Sequence, residues 1–249
     1  MSFAVVLVGI VIGMMSGFFG LGGALVATPM LKLFAGLPAL LALGSPLPAA
    51  IPSALSGAVS YYRAGLLDGK TIAIILSAAL PFNVIGSYSS SLVNDHVLMV
   101  ATACVMVYAS VTFLVRGWLM KESAHHPKHQ SVTQLIMIGV ATGLLSGFLA
   151  IGGGIIIIPA FVKILRTTVK EAMAVSLVCV AALAIPGTIV HAMVGHIDWT
   201  VACVLGVVSI PTAYYGSRIS VRLRNRTIER AYGMVMLCFA IYFLWTLYS

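Results

Sequence analysis

The chain has 249 residues, of which 61% are hydrophobic and only 8% charged, with a mean hydropathy of +1.10. A soluble domain carries roughly a quarter charged residues, so this chain could not cover a water-facing surface. A soluble enzyme is excluded, and the net charge of +8 has to be explained without a nucleic-acid partner.

Long apolar runs recur along the whole length, which makes lipid the solvent for most of the chain. In chain order they predict spans at Phe3–Phe19, Leu21–Phe34, Ala39–Tyr62, Thr71–Tyr88 and Val97–Val115, then at Val132–Leu149, Ile151–Ile164, Ala172–Val194, Trp199–Gly216 and Ile228–Leu247. Met1–Phe19 has neither a basic leading stretch nor a small-residue cleavage site, so it is expected to stay in the fold rather than act as a signal peptide. The second span of each set is short. Its fourteen residues reach about 21 Å at 1.5 Å each, against a hydrocarbon core of roughly 30 Å.

The two sets of five spans are copies. Shifted by 130 positions, Gly13, Ser16, Gly17, Phe18, Gly22, Gly23 and Pro29 fall on Gly143, Ser146, Gly147, Phe148, Gly152, Gly153 and Pro159. Gly57, Gly65 and Asp68 fall on Gly187, Gly195 and Asp198, and Pro81, Gly86 and Ser87 on Pro211, Gly216 and Ser217. Matches dominated by Gly and Pro mark shared backbone geometry rather than shared greasiness. The expected organisation is a first membrane repeat at 1–117, a polar cytoplasmic linker at 118–131 and a second membrane repeat at 132–249.

Basic residues collect on cytoplasmic loops and so report the topology. If each short segment continues across the membrane, every repeat crosses an odd number of times and the repeats are inverted. One side then receives Arg63, Lys70, Arg116, Lys121, Lys128, Lys163, Arg166, Lys170, Arg218, Arg222, Arg224, Arg226 and Arg230, and the other only Lys32. If the short segments dip and return, the basic residues divide nine to five. The thirteen-to-one split predicts an all-α polytopic membrane protein with about 8–10 membrane segments. Its two inverted-topology repeats have short or broken helices at matching positions, and both termini lie outside. The positive charge becomes a cytoplasmic rim facing anionic headgroups. For Arg218–Arg230 this topological role is favoured over regulation or substrate funnelling.

In transporters built from inverted repeats, substrate sites form between the repeats at discontinuous helices, and paired Gly-interrupted segments point to them. The pair here is Gly17-Phe18-Phe19-Gly20-Leu21-Gly22-Gly23 and Gly147-Phe148-Leu149-Ala150-Ile151-Gly152-Gly153-Gly154. Glycine permits the break, and a helix that restarts there directs its free N–H groups and positive end into the gap, which suits an anion. Gly22, Gly23, Gly152, Gly153 and Gly154 are therefore candidate substrate-binding positions. Valine at Gly22 or Gly153 is expected to block the anion without unfolding the protein. Gly9, Gly13 and Gly17, like Gly139, Gly143 and Gly147, instead read as a small-residue packing face.

Ser53, Asn83 and Ser176 are candidate polar contacts, drawn from a set that also holds Ser56, Ser60, Thr188 and Thr212. His191 is a candidate for proton coupling set against a packing role, and its repeat mate Tyr61 is taken to face the interior with it. No buried carboxylate or lysine is expected. Asp68 and Asp198 read as N-caps, and the linker histidines His125, His126 and His129 as solvated. Four single cysteines without CxxC spacing read as buried packing. No metal, cofactor or catalytic set is expected: HExxH and paired buried carboxylates are both absent from the sequence.

The doubled motif, Ser16–Gly23 with Pro29 and Ser146–Gly154 with Pro159, together with Ala172–Leu177, Gly195 and Asp198, resembles the sulfite exporter TauE/SafE family. The resemblance implies a cell-membrane transporter, expected to export sulfite, sulfonates or related small anions by alternating access around the paired breaks. A passive anion channel of the same fold is the alternative. The expected partners are the small anion and the lipid bilayer, and the sequence admits both a homodimer and coupling to protons or other ions.

Overall fold

The computed structural model describes residues 2–90, 93–119, 131–150 and 152–248. Most of the linker, with Lys121, His125, His126, Lys128 and His129, lies outside the described residues, as does Ile151. The described residues form helices and no strands. The helices are α1 (Ser2–Phe19), α2 (Ala24–Phe34), α3 (Ala39–Gly44), α4 (Pro46–Arg63), α5 (Gly69–Ser90) and α6 (Asp95–Leu119), then α7 (Val132–Leu149), α8 (Gly154–Ala160), a π-helical turn at Phe161–Leu165, α9 (Val169–Met193), α10 (Trp199–Arg222) and α11 (Asn225–Tyr248).

Five stretches are long and apolar enough to cross a bilayer by length and composition: Leu40–Arg63, Gly69–Ser90, Val132–Leu149, Val169–Met193 and Trp199–Arg222. Phe3–Phe19, Val100–Val115 and Gly154–Leu165 are shorter apolar helices. The chain is an all-α polytopic membrane protein. Four expectations need correction. Of the four cysteines read as buried, Cys104, Cys203 and Cys238 are exposed and Cys179 is buried. The second segment of each copy becomes helical only at Ala24 and Gly154, because the glycines before them are left-handed. The stretch read as Ala39–Tyr62 is two helices meeting at Ser45 and Pro46. Glu229, expected to be solvated, is 6% exposed.

The two small-residue faces decide the packing. A β-carbon at Gly9 would meet Val208, at Gly13 Ser209 and Thr212, and at Gly17 Ala213 and Ser217. Numbers rise together, so α1 lies backbone to backbone along α10 and parallel to it. In the same way Gly139 lies on Ile75 and Ala78, Gly143 on Ala79, and Gly147 on Asn83 and Ser87, which sets α7 parallel to α5. Each copy's first helix thus packs on the other copy's fourth. Side chains larger than hydrogen at these glycines would push the pairs apart and forfeit the close dispersion contact that holds helices together in lipid.

Between these pairs lie α4 and α9. A β-carbon at Gly57 would meet Leu177 at 3.4 Å, and one at Gly187 would meet Leu47 at 3.7 Å. The 130-residue shift converts either contact into the other, and the numbering runs oppositely, so α4 and α9 are antiparallel. Ser56 donates to the Ile210 carbonyl at 2.7 Å and Ser217 to Ser60 Oγ at 2.8 Å, which makes α4 parallel to α10. Helices α1, α4 and α10 therefore run one way and their counterparts α7, α9 and α5 the other. Helix α2 doubles back along α1: Gly23 sits on Ile12, and Ala27 and Leu31 share a core with Val5 and Val8.

The carboxylate of Asp198 caps α10 by accepting from the Thr200 and Val201 amides at 2.9 and 3.1 Å. That of Asp68 caps α5, accepting from the Lys70 amide at 3.1 Å and the Thr71 hydroxyl at 2.6 Å. The Thr71 hydroxyl is the main cause of an Asp68 pKa below its ordinary value. Asp68→Ala and Asp198→Ala should each cost about 1 kcal/mol in thermal unfolding of the detergent-purified chain. A depressed carboxylate pKa stabilises above the unfolded value and loses that contribution as pH falls through the folded one. The Asp68→Ala deficit should therefore shrink as melts are taken from neutral pH to below the usual carboxylate range.

Candidate substrate site at the paired helix breaks

After Phe19 the chain leaves α1 through Gly20 (φ 71°), Gly22 (φ 74°) and Gly23 (φ 78°) before α2 begins. The second copy repeats the pattern through Ala150 (φ 51°), Gly152 (φ 74°) and Gly153 (φ 81°) before α8. Ala150 thus keeps the left-handed backbone of its mate Gly20 although an L side chain pays roughly 1–2 kcal/mol there. The break geometry is the same in both copies where the sequence differs.

The two breaks meet. A β-carbon added at Gly154 would meet the Gly20 carbonyl oxygen and the Leu21 Cα, both at 2.8 Å, and the Ser176 hydroxyl donates to that same carbonyl at 2.7 Å. Val180, one turn further along α9, packs on both Gly22 and Gly152. Among the described residues the amides of Gly22, Gly23, Gly152 and Gly153 donate to no protein acceptor. Free amides at this depth require a polar guest or burial in protein.

Ser53 is 3% exposed and its Oγ has no partner among the described residues. With Gly22, Gly23, Pro46 and Ser209 it lines a gap with room for about one water. Two further buried hydroxyls without partners flank the breaks, Ser16 on α1 and Thr142 on α7, and a β-carbon added at Gly153 would meet the Thr142 methyl. Thr142 and Val180 escaped the sequence reading because neither stands in a polar or Gly-rich run. A signal existed for Thr142: it is one turn before Ser146 on the same helix face.

The other candidates divide. Once its amide is oriented to satisfy both ends, Asn83 donates to the Leu183 carbonyl at 3.3 Å and accepts from the Gly147 amide at 3.1 Å. It clasps α5 to α7 and α9 rather than facing the gap. Tyr61 is fully buried at the outer edge of the first break, its hydroxyl 3.3 Å from the Gly17 carbonyl and 3.7 Å from Met173 Sδ. His191 stands apart. It lies eleven residues, or about 16 Å of helix, beyond Val180, beside the His196 ring at a centroid distance of 5.6 Å. The structure does not join it to the breaks.

Valine at Gly22 cannot leave the fold intact, contrary to expectation, because its Cβ would collide with Val180 Cγ1 and the backbone is left-handed. Gly153→Val meets Thr142 in the same way. Ala150→Gly should stabilise the protein by about 0.5–1 kcal/mol, since relief of strain exceeds the entropy of glycine. Gly20→Ala should destabilise it by about 1–3 kcal/mol, because the new Cβ meets Met173 Cβ at 2.8 Å. Opposite shifts in melting temperature check both.

Residues 5–243 match the family described as Sulfite exporter TauE/SafE. The chain is 25% identical to the "Probable membrane transporter protein YunE" of Bacillus subtilis, over 95% of this chain and 93% of that protein. It is 27% identical to the "Probable membrane transporter protein YdhB" of the same organism, over 87% and 89%. It is 26% identical to a "Probable membrane transporter protein" of Xylella fastidiosa, over 94% and 91%. No solved structure matches.

Proposed function

The chain belongs to the sulfite exporter TauE/SafE family, and from that premise we propose that it is a secondary carrier exporting sulfite, sulfonates or related small anions across the cell membrane. It is a multi-pass membrane transporter and not an enzyme. In the proposed reading, residues 1–117 and 132–249 are inverted repeats joined by a cytoplasmic linker. The antiparallel course of α4 and α9, through contacts that the repeat interchanges, supports this.

One observation carries the reading: two left-handed breaks abut deep in the bundle with free amides and an unpartnered Ser53 around them. Amides at a helix start stabilise an anion without a buried lysine or arginine, whose own desolvation would be costly. Val180 of α9 covers both breaks, and the gap at Ser53 has room for about one water. In this reading, exposing the breaks to either side requires α9 to move against α4, which is the motion of alternating access.

The basic rim supports an outside position for both termini. Lys170 Nζ donates to the Val221 carbonyl at 2.7 Å, which brings the basic connection before α9 to the same end as Arg218 and Arg222. Lys32 is in α2.

Proteoliposomes loaded with sulfite should show saturable efflux and counterflow. A passive channel, the second reading of the same fold, would show neither. Ser53→Ala removes one hydroxyl without filling the gap and should lower sulfite turnover about tenfold or more, the scale of one hydrogen bond to a charged group. Wild-type transport in Ser53→Ala would remove Ser53 from the substrate site.

A further inference from the structure

The C-terminal ends of α4 and α10 enclose an open cleft of about 470 Å³, which shares no lining residue with the gap at the breaks. Three arginines line it, Arg63 from α4 and Arg218 and Arg222 from α10, one turn apart on the same face. Arg63 Nη1 donates to the Tyr214 hydroxyl at 3.3 Å, which anchors that guanidinium at the cleft wall. Ser60, hydrogen-bonded to Ser217 at 2.8 Å, is its polar inner lining. Among the described residues no carboxylate lines the cleft and none of the three guanidiniums pairs with one.

A topological role alone does not account for this placement. Basic residues that only hold a loop on one side of the membrane work equally well pointing anywhere into water, as Arg224 and Arg226 do beyond the end of α10. Here three like charges converge on one concavity, where they repel unless an anion joins them. The repeat offers a control within the same chain. Shifted by 130 positions, Arg63, Tyr214, Arg218 and Arg222 correspond to Met193, Val84, Tyr88 and Leu92. The corresponding positions of the other copy carry no charge.

We propose that Arg63, Arg218 and Arg222 form a second, side-chain site for a free divalent oxyanion of sulfur or phosphorus, which loads the carrier from its basic end. Its loading role rests on the carrier reading above; its binding of an anion does not. Guanidinium groups present forked N–H donors that match two oxygens of such an ion at once. Three positive charges suit a dianion better than the single charge of a phospholipid diester, which favours the soluble ion as occupant. A field of one sign in a concave, partly apolar mouth also raises the local anion concentration and its rate of capture.

The test is calorimetric titration of sulfate, a stable stand-in for sulfite, into the full chain purified in uncharged detergent. Sulfate should bind with an affinity that falls as sodium chloride is raised. Arg218→Gln and Arg222→Gln should each weaken binding about tenfold, while Arg224→Gln, outside the cleft, should leave it unchanged. Wild-type affinity in both cleft variants overturns the proposal. So does heat that appears only with a short-chain phosphatidylglycerol and not with sulfate. Loss of sulfate binding in Ser53→Ala but not in the arginine variants would discard the cleft and keep the break site. Binding lost in the arginine variants, with no anion flux in the wild type, would keep the cleft and discard the carrier.

Discussion

In hydrocarbon, a backbone amide without a partner costs several kcal/mol, and this fold contains two places where a helix restarts with the amides before it bare. Everything central in the structure follows from having to bury them. Each break turns through three left-handed positions and would be untenable facing lipid. Placed against each other, with Ser176 holding the Gly20 carbonyl and Val180 covering Gly22 and Gly152, they are shielded by protein on every described side except a gap lined by Ser53. Helices α4 and α9 are the walls that make this burial possible, and each sets a glycine against a leucine of the other, Gly57 on Leu177 and Gly187 on Leu47.

The glycine faces supply the rest of the frame. Because α1 rests on α10 and α7 on α5, backbone against backbone, neither half of the chain can complete its own packing. The copies interlock rather than stand side by side. Hydrophobicity gives no help in choosing helix partners inside lipid, so close approach at Gly9, Gly13 and Gly17 and at Gly139, Gly143 and Gly147 does the choosing. In the carrier reading these tightly joined pairs travel as units, and the looser contact between α4 and α9 is where they part.

Charge is distributed without regard to the repeat. The backbone frame is symmetrical down to the left-handed Ala150, yet Arg63, Arg218 and Arg222 have apolar or uncharged mates. In the carrier reading, a repeated frame with one charged mouth would give the two membrane faces different access to the same breaks. That difference is what a protein needs if it is to handle an anion differently from each side.

Composition and the Gly and Pro matches at a spacing of 130 were enough to identify a lipid-embedded helical protein and the positions where helices break, because lipid burial and φ > 0 are demands on single residues. The N-caps Asp68 and Asp198 were legible for the same local reason. The starts of α2 and α8 were misplaced by three residues, since a Gly-rich apolar run has the hydropathy of a helix whether or not it is one. Which of the polar candidates share a site was decided only by tertiary contacts. Asn83 and Ser53 look alike along the chain, but one is consumed by Gly147 and Leu183 and the other is left free. His191 and Tyr61 are repeat mates, yet antiparallel α4 and α9 carry them to opposite ends of the bundle. The meeting of residues as distant as Gly20 and Gly154, or Arg63 and Arg218, depends on how helices dock, and docking is set by surface shape that no local pattern encodes.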